Sequence, residues 1–519
     1  MKPVRTLMVV IGLLCVSSAT LFAQATGDYR SAATGDWGTA ATWQRYNGSS
    51  WVAAPAPPTG AETITIQAAD SVNINVAVSI TDTLRNQGRL AGGVNLTIAD
   101  GGTFQHDRDA GSLPLATWST GSTLLMTGVT ATTPDNRNQN FHHVTFNTPG
   151  LGANLNMGWD SVTIGGNITV INSGASRWQM TAPAAGDSSL ITLMGDVIVT
   201  GGQFSSNGSG NANTRITIHQ YGNVLVTGGN FSVSRGSQGS GTGSTRWYLH
   251  DGNFSMSGAT TQNSNAANAW FIFDKAGTQS LTLGAGNTLT ALPLVVNSGT
   301  TLDMGQSELF GSGRFILNAG ATLATGNDGG LDSAVRVTGT VTLDTSASFT
   351  FNGSVAQITG VAMPAKVNNL VINNAAGVTL SQPTTINGVL RLQAGVFDNT
   401  IPFTLGPGGS VSMEGGSLLH PLSVELIDET VPGSFSVAQN YPNPFNPSTT
   451  IRFGLPQKSR VSITIFNLLG QVVATPFEGT RDAGVHELQF DASRLSSGVY
   501  LYRVKADDAV QVNRMILLK

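Results

Sequence analysis

Val199-Thr200-Gly201-Gly202-Gln203-Phe204-Ser205 returns, lightly altered, as Val226-Thr227-Gly228-Gly229-Asn230-Phe231-Ser232 and then, shortened, as Asp251-Gly252-Asn253-Phe254-Ser255. Each phrase reads as a strand or turn, a glycine, a phenylalanine and a serine. The phenylalanines recur at about 23 to 27 residues, the length of one coil in a stacked repeat. A second phrase follows as Gly286-Asn287-Thr288-Leu289, Gly299-Thr300-Thr301-Leu302, Gly320-Ala321-Thr322-Leu323, Gly339-Thr340-Val341-Thr342-Leu343 and Gly377-Val378-Thr379-Leu380. Short strands, Gly and Asn turns and almost no helical periodicity predict an all-β chain whose body is one long parallel β-helix, or solenoid.

No single coil of such a body buries its own apolar face, so Val, Ile, Leu and Phe must stack over their counterparts in neighbouring coils. Phe204, Phe231 and Phe254 are expected to share one internal column. With strands about 4.8 Å apart and roughly 400 residues at about 22 per coil, the body would be about 80 to 90 Å long. Glycine and asparagine at the corners are expected to supply the positive φ of the turns. The irregular spacing leaves a string of β-sandwiches as the competing architecture.

The chain has 519 residues, 40% of them hydrophobic, which is ample for a core. Charged residues make up only 11%, where roughly a quarter is usual. Net charge is −4, and between the N-terminal segment and Lys458 the only lysines are Lys275 and Lys366. A surface built from Asn, Thr, Ser and Gln does not track phosphates, which argues against nucleic acid and anionic membranes as partners.

Lys2 and Arg5 precede an apolar run from Leu7 to Val16 and then Ala23-Gln24-Ala25. This pattern predicts a secretory signal peptide over residues 1–25, cut after Ala23 or Ala25, and the run is too short to span a membrane. The single cysteine, Cys15, lies inside it behind Leu14, where a lipidation box wants a small residue. The mature protein is therefore expected to hold no cysteine and to owe nothing to disulfides.

The C-terminus reads Gln439-Asn440-Tyr441-Pro442-Asn443-Pro444-Phe445-Asn446-Pro447-Ser448-Thr449-Thr450-Ile451. Three prolines remove backbone donors and fix φ, giving an extended, turn-rich opening. Val461, Ile463 and Ile465 then alternate with Ser462 and Thr464, and Gly470, Gly479, Gly484 and Gly498 break the runs, the pattern of a small immunoglobulin-like antiparallel β-sandwich. An ordinary immunoglobulin-like binding module would carry the same alternation.

The proline run, together with Asn467-Leu468-Leu469-Gly470, Gly484-Val485-His486, Leu495-Ser496-Ser497-Gly498-Val499-Tyr500 and the closing Met515-Ile516-Leu517-Leu518-Lys519, resembles the type A C-terminal sorting domain of the type IX, or Por, secretion system of Bacteroidetes-like bacteria. The resemblance implies the secretion machinery as partner, passage through the periplasm, and release or display at the outer surface. It also implies that Asn440, Tyr441, Pro442, Asn443, Pro444, Phe445, Asn446, Pro447, Gly470, Gly498, Tyr500 and Lys519 carry the sorting signal. Domains are expected at 1–25 (signal), 26–422 (solenoid, with a Trp-rich cap at about 27–66), 423–437 (linker) and 438–519 (sorting domain). Trimming on arrival is expected within Val424 to Val437. Two looser resemblances, Gly27-Asp28-Tyr29-Arg30-Ser31 with Gly35-Asp36-Trp37, and Phe349-Thr350-Phe351-Asn352-Gly353 with Asn368-Asn369-Leu370, are to β-helical surface proteins of the same bacteria, some akin to an eight-glycine domain of extracellular carbohydrate-acting proteins.

Chemistry in the body is sparse in the sequence. Glu62, Glu308 and Glu414 stand far apart, and glycosidases need two carboxyl groups across one sugar bond. His106 to Asp109 could form an acid and base cluster but reads as a solvated loop. His142 and His143 alternate in a strand-like run and should face opposite ways, unable to grip one metal. Gly326-Asn327-Asp328-Gly329-Gly330-Leu331-Asp332 resembles a calcium turn but occurs once; no catalytic residue, cofactor or metal is assigned. Trp37, Trp43 and Trp51 crowd near the mature N-terminus, either as a cap on the open end or as faces for sugar rings. The combined reading is an exported structural or adhesive solenoid that meets polysaccharide or cell-surface glycans. A polysaccharide lyase or glycosidase on the same scaffold, or a non-catalytic carbohydrate-binding protein, is the alternative.

Overall fold

A computed structural model describes residues 24–519 apart from 209–211, 237–242, 264–267, 285–286, 288, 421–424 and 429–430. The expected signal peptide falls almost entirely outside the described residues. The body is a parallel β-solenoid. One 19-stranded sheet runs its length, joined by five- and eight-stranded sheets in the middle and shorter ones at the ends.

Apolar side chains in the inward phase stack in register along the long sheet. Ile64 pairs with Leu84, Leu84 with Phe104, Phe104 with Leu124 and Leu124 with Val144, at one constant interval. The interval then lengthens by nearly half, so that Ile168 pairs with Val197 and Val224 with Phe254. It returns close to its first value where Phe349, Leu370, Leu390 and Val411 follow one another. Coil length thus varies along the axis, in keeping with the irregular spacing of the phrases. Middle coils are longer because their third face carries six-residue strands, Ser188–Leu193, Arg215–Gln220 and Ser244–Leu249, where a coil near the N-terminus has only Val78–Ile80.

The phenylalanine column is corrected in part. Trp178, Phe204 and Phe231 lie in register in the five-stranded sheet, followed by Thr261. Phe254 belongs to the long sheet, between Val224 and Leu281. It still meets the column from the side, with its ring 5.9 Å from that of Phe231 and edge-on to it. The Gly-Gly turns owe their composition to stacking: Gly202 has φ +72°, and a Cβ there would sit 2.3 Å from the Ser173 nitrogen of the coil below.

Asparagine does a different job from the one expected. Among the described asparagines, only Asn136 and Asn213 have positive φ. Three others, with Asp196, build a ladder between coils in which each side-chain oxygen accepts the next coil's backbone N–H: Asn167 from Asp196 (2.9 Å), Asp196 from Asn223 (2.6 Å), Asn223 from Asn253 (2.9 Å) and Asn253 from Ser280 (2.7 Å).

At the N-terminal end the direction of pairing changes. Tyr29–Ser31 pairs parallel with Ile64–Ile66 but antiparallel with Trp43–Tyr46, which pairs antiparallel with Trp51–Ala53. This hairpin covers an edge that would otherwise offer unpaired backbone groups. The tail is two four-stranded antiparallel sheets around a core of its own, including Phe445, Ile451, Phe453, Ile463, Tyr502 and Leu517. Within 423–437, Glu425–Asp428 and Ser436–Val437 add strands to one tail sheet rather than forming a bare linker. No helix among the described residues is long and apolar enough to cross a membrane.

Candidate functional site

The proline-rich opening of the tail lies across its last strand. Phe445 is buried; its N–H donates to the Ile516 carbonyl at 2.9 Å, and its own carbonyl accepts from Leu518 at 2.9 Å. The Asn443 Oδ1 accepts from the Ile516 N–H at 2.8 Å. Asn440, also buried, donates from its backbone N–H to the Tyr502 hydroxyl (2.9 Å) and from its side chain to Thr449 (2.9 Å). The Tyr502 hydroxyl in turn donates to the Ala438 carbonyl at 2.8 Å, and burial raises its pKa. The peptide bonds before Pro442 and Pro444 are cis.

The motif therefore has two sides. Asn440, Asn443 and Phe445 face the tail and fix the segment, whereas Pro442, Pro444 and Asn446 are exposed and Tyr441 is 81% exposed. The Pro447 carbonyl accepts from the Ala492 N–H at 3.0 Å. Gly470, at φ +78°, closes a hairpin that displays Leu468 and Leu469. Gly498 opens a strand opposite Leu517; Tyr500 is buried and donates to the Ser496 carbonyl at 2.8 Å; and Lys519 reaches Ser493 and Ser497. The expected signal residues, from Asn440 to Lys519, are thus gathered on one small sandwich.

The body's predicted candidates scatter. Trp37 and Trp43 are each 1% exposed, edge to face at 5.0 Å, with their indole N–H groups donating to the Pro58 and Trp37 carbonyls. They offer no ring face to a sugar, which corrects that expectation for these two. Trp51 is at the surface, with the Arg30 guanidinium 4.6 Å from its ring centroid. His106 is buried, not in a solvated loop, because Thr103–His106 continues the inward phase set by Phe104. Burial lowers its pKa to about 4.

The flanking acids are spoken for. Asp107 pairs with Arg85 at 2.5 Å, and Asp109 accepts from the backbone N–H groups of Thr130, Ala131 and Thr132. Burial opposes the charge on Asp109, yet those donors hold its pKa at about 2. The His142 and His143 rings touch, 4.3 Å apart, rather than facing opposite ways, because the strand begins only at His143. Both Asp332 oxygens accept backbone N–H groups of Val361 and Ala362. Among the described residues no group of three or more His, Cys, Asp or Glu could hold a metal.

Two features went unread in the sequence. The outward row of the eight-stranded sheet brings His219, Tyr248 and Ile272 side by side, with Arg246 and Trp270 in the adjacent row. His219 and His250 are hydrogen-bonded at 2.8 Å and stacked, His250 lies 3.3 Å from Asp274, and Tyr221 packs on His250. Burial and then His250 lower the pKa of His219. Trp270 lies between Arg246 and Arg314, 5.6 and 4.3 Å from its centroid. Alternation along each strand was visible, but which outward residues become neighbours depends on coil length.

The other feature is a cleft of about 830 Å³ where the long sheet parts. Residues Leu281–Leu283 pair with Phe254–Met256, whereas Gly277–Ser280 pair with the following strand, Thr300–Asp303. The chain then bends away until Ser307 accepts the Leu283 N–H at 2.9 Å. Asp303, Glu308, Phe310 and Arg336 line the opening, with Arg336 3.3 Å from Glu308.

Residues 439–518 match the family model of the secretion system C-terminal sorting domain. This tail makes the chain cargo of the type IX secretion system, exported to the cell surface or the extracellular space. No curated protein and no solved structure matches the chain significantly.

Proposed function

We propose that the exported protein is a non-catalytic adhesive or structural element that holds extracellular glycan against the outer face of its eight-stranded sheet. The observation that carries this reading is the outward cluster of Tyr221, Tyr248 and Trp270 with Arg246, Arg314 and His219 on that sheet. Aromatic edges add apolar contact to the C–H side of a sugar ring, and the flanking guanidinium and phenol groups bond its hydroxyls. A parallel sheet repeats such positions about every 4.8 Å, so a polymer meets many weak contacts in line. Export puts this face where such polymers are.

The test is retention of the purified protein on immobilised polysaccharides and on cells. Tyr248→Ala with Trp270→Ala should weaken retention about tenfold or more, and unchanged retention overturns the reading. The enzyme alternative keeps one specific observation, the cleft that holds Asp303 and Glu308 with Arg336. In the same assay, release of reducing ends or unsaturated products that Glu308→Gln abolishes would establish it instead.

A further inference from the structure

A second hollow, of about 530 Å³, opens between the coils that contain residues 86–94 and 108–115. Arg89, Arg108, Asn86, Ser112 and Asn136 line it, and no Asp or Glu does. In a chain of net charge −4 this is a local reversal of sign. It arises because the acids on either side of Arg108 turn elsewhere, Asp107 to Arg85 and Asp109 to the backbone of the next coil. Arg108 donates from Nη1 to the Gly88 carbonyl, while its Nε is without a partner. Arg89 is exposed and forms no ion pair among the described residues.

The hollow also holds an unmet acceptor. Asn86 is 1% exposed, and its Oδ1 receives no hydrogen bond. Buried polar atoms in native folds nearly always have a partner, so an orphan that lines a cavity points to a donor supplied from outside. Val94 and Leu115, 78% and 54% exposed, add apolar surface at the rim.

We propose that this hollow binds a uronic acid unit of an acidic glycan. The carboxylate sits with Arg89 and Arg108, a ring hydroxyl donates to the Asn86 Oδ1, and the C–H face of the sugar rests on Val94 and Leu115. Charge-assisted bonds from guanidinium to carboxylate are the strong part of such a site, and the Asn86 acceptor separates a hydroxylated acid from a bare anion. This site is distinct from the aromatic face, and its success or failure leaves that reading standing.

The experiment is calorimetric or ligand-observed NMR titration of the full exported protein with glucuronate and galacturonate, using glucose, sulfate and N-acetyl-aspartate as comparison probes. A uronate should bind at millimolar concentration or below, more weakly as salt rises, while glucose should not bind. Arg89→Gln, a surface change, should lower the affinity about tenfold or more. Asn86→Leu should lower it too while melting no earlier than the parent. The proposal is overturned if neither uronate binds, if glucose, sulfate or N-acetyl-aspartate binds as tightly, or if Arg89→Gln leaves the affinity unchanged.

Discussion

His106 shows how one buried side chain makes stability depend on pH. Burial holds its folded pKa at about 4, against an ordinary value of 6.5. Between those values the unfolded chain takes up a proton that the folded chain refuses, so stability falls as pH drops through this window and levels off below it. The shift corresponds to roughly 3 kcal/mol. Chemical denaturation from pH 7.5 to 4 should therefore show a smaller loss in His106→Gln than in the parent, and equal losses would contradict the burial described. The sequence read this residue as part of a solvated loop because a polar side chain at a strand's end looks like the start of one. Its inward phase shows only once Phe104 is seen to face the core. Trp37 and Trp43 left two readings open in the sequence, a cap or a sugar platform, and their burial removes the second.

At the scale of strands and turns, the recurring phrases named the architecture but not the partners. Phe204 and Phe231 share a sheet, as their phrases suggested, whereas the same Gly, Asn, Phe and Ser around Phe254 lie on another face. Turn chemistry repeats wherever a coil bends, and a coil bends at several corners, so similar words need not mark equivalent positions. The asparagine ladder was hidden for a related reason: a residue suited to positive φ is equally suited to accept a neighbouring N–H. Asn223→Ala should release the exposed Asn253 N–H to water and cost about 0.5 to 1.5 kcal/mol, read as a lower melting temperature. Asn223→Asp keeps the acceptor but sets a second carboxylate against Asp196, whose oxygen now accepts from the Asn223 side chain at 3.0 Å, and should lose at least as much. Identical melting of the alanine variant and the parent would remove the ladder from the account of what holds the middle coils together.

For the whole molecule, body and tail have separate buried cores. Ending the chain before Ser434 should leave the body folded, with its melting unchanged, yet strand it in the periplasm of its native host. Equal surface or medium levels of the short and full forms would contradict the role given to the tail. The tail was the most legible part because its motif is contiguous. The body's clefts and faces arise instead from contacts a whole coil apart in sequence, and the coil length varies along the axis. That variation has a mechanical side. The strands lie across the long axis, so a pull along it loads the hydrogen bonds of one coil at a time, as in opening a zip, instead of shearing all of them together. Each coil that lets go pays out roughly 70 to 100 Å of slack, taking about 20 to 30 residues per coil at about 3.4 Å each. An anchor built this way would yield in steps under drag, with the short terminal coils and the long middle ones giving out different lengths of line.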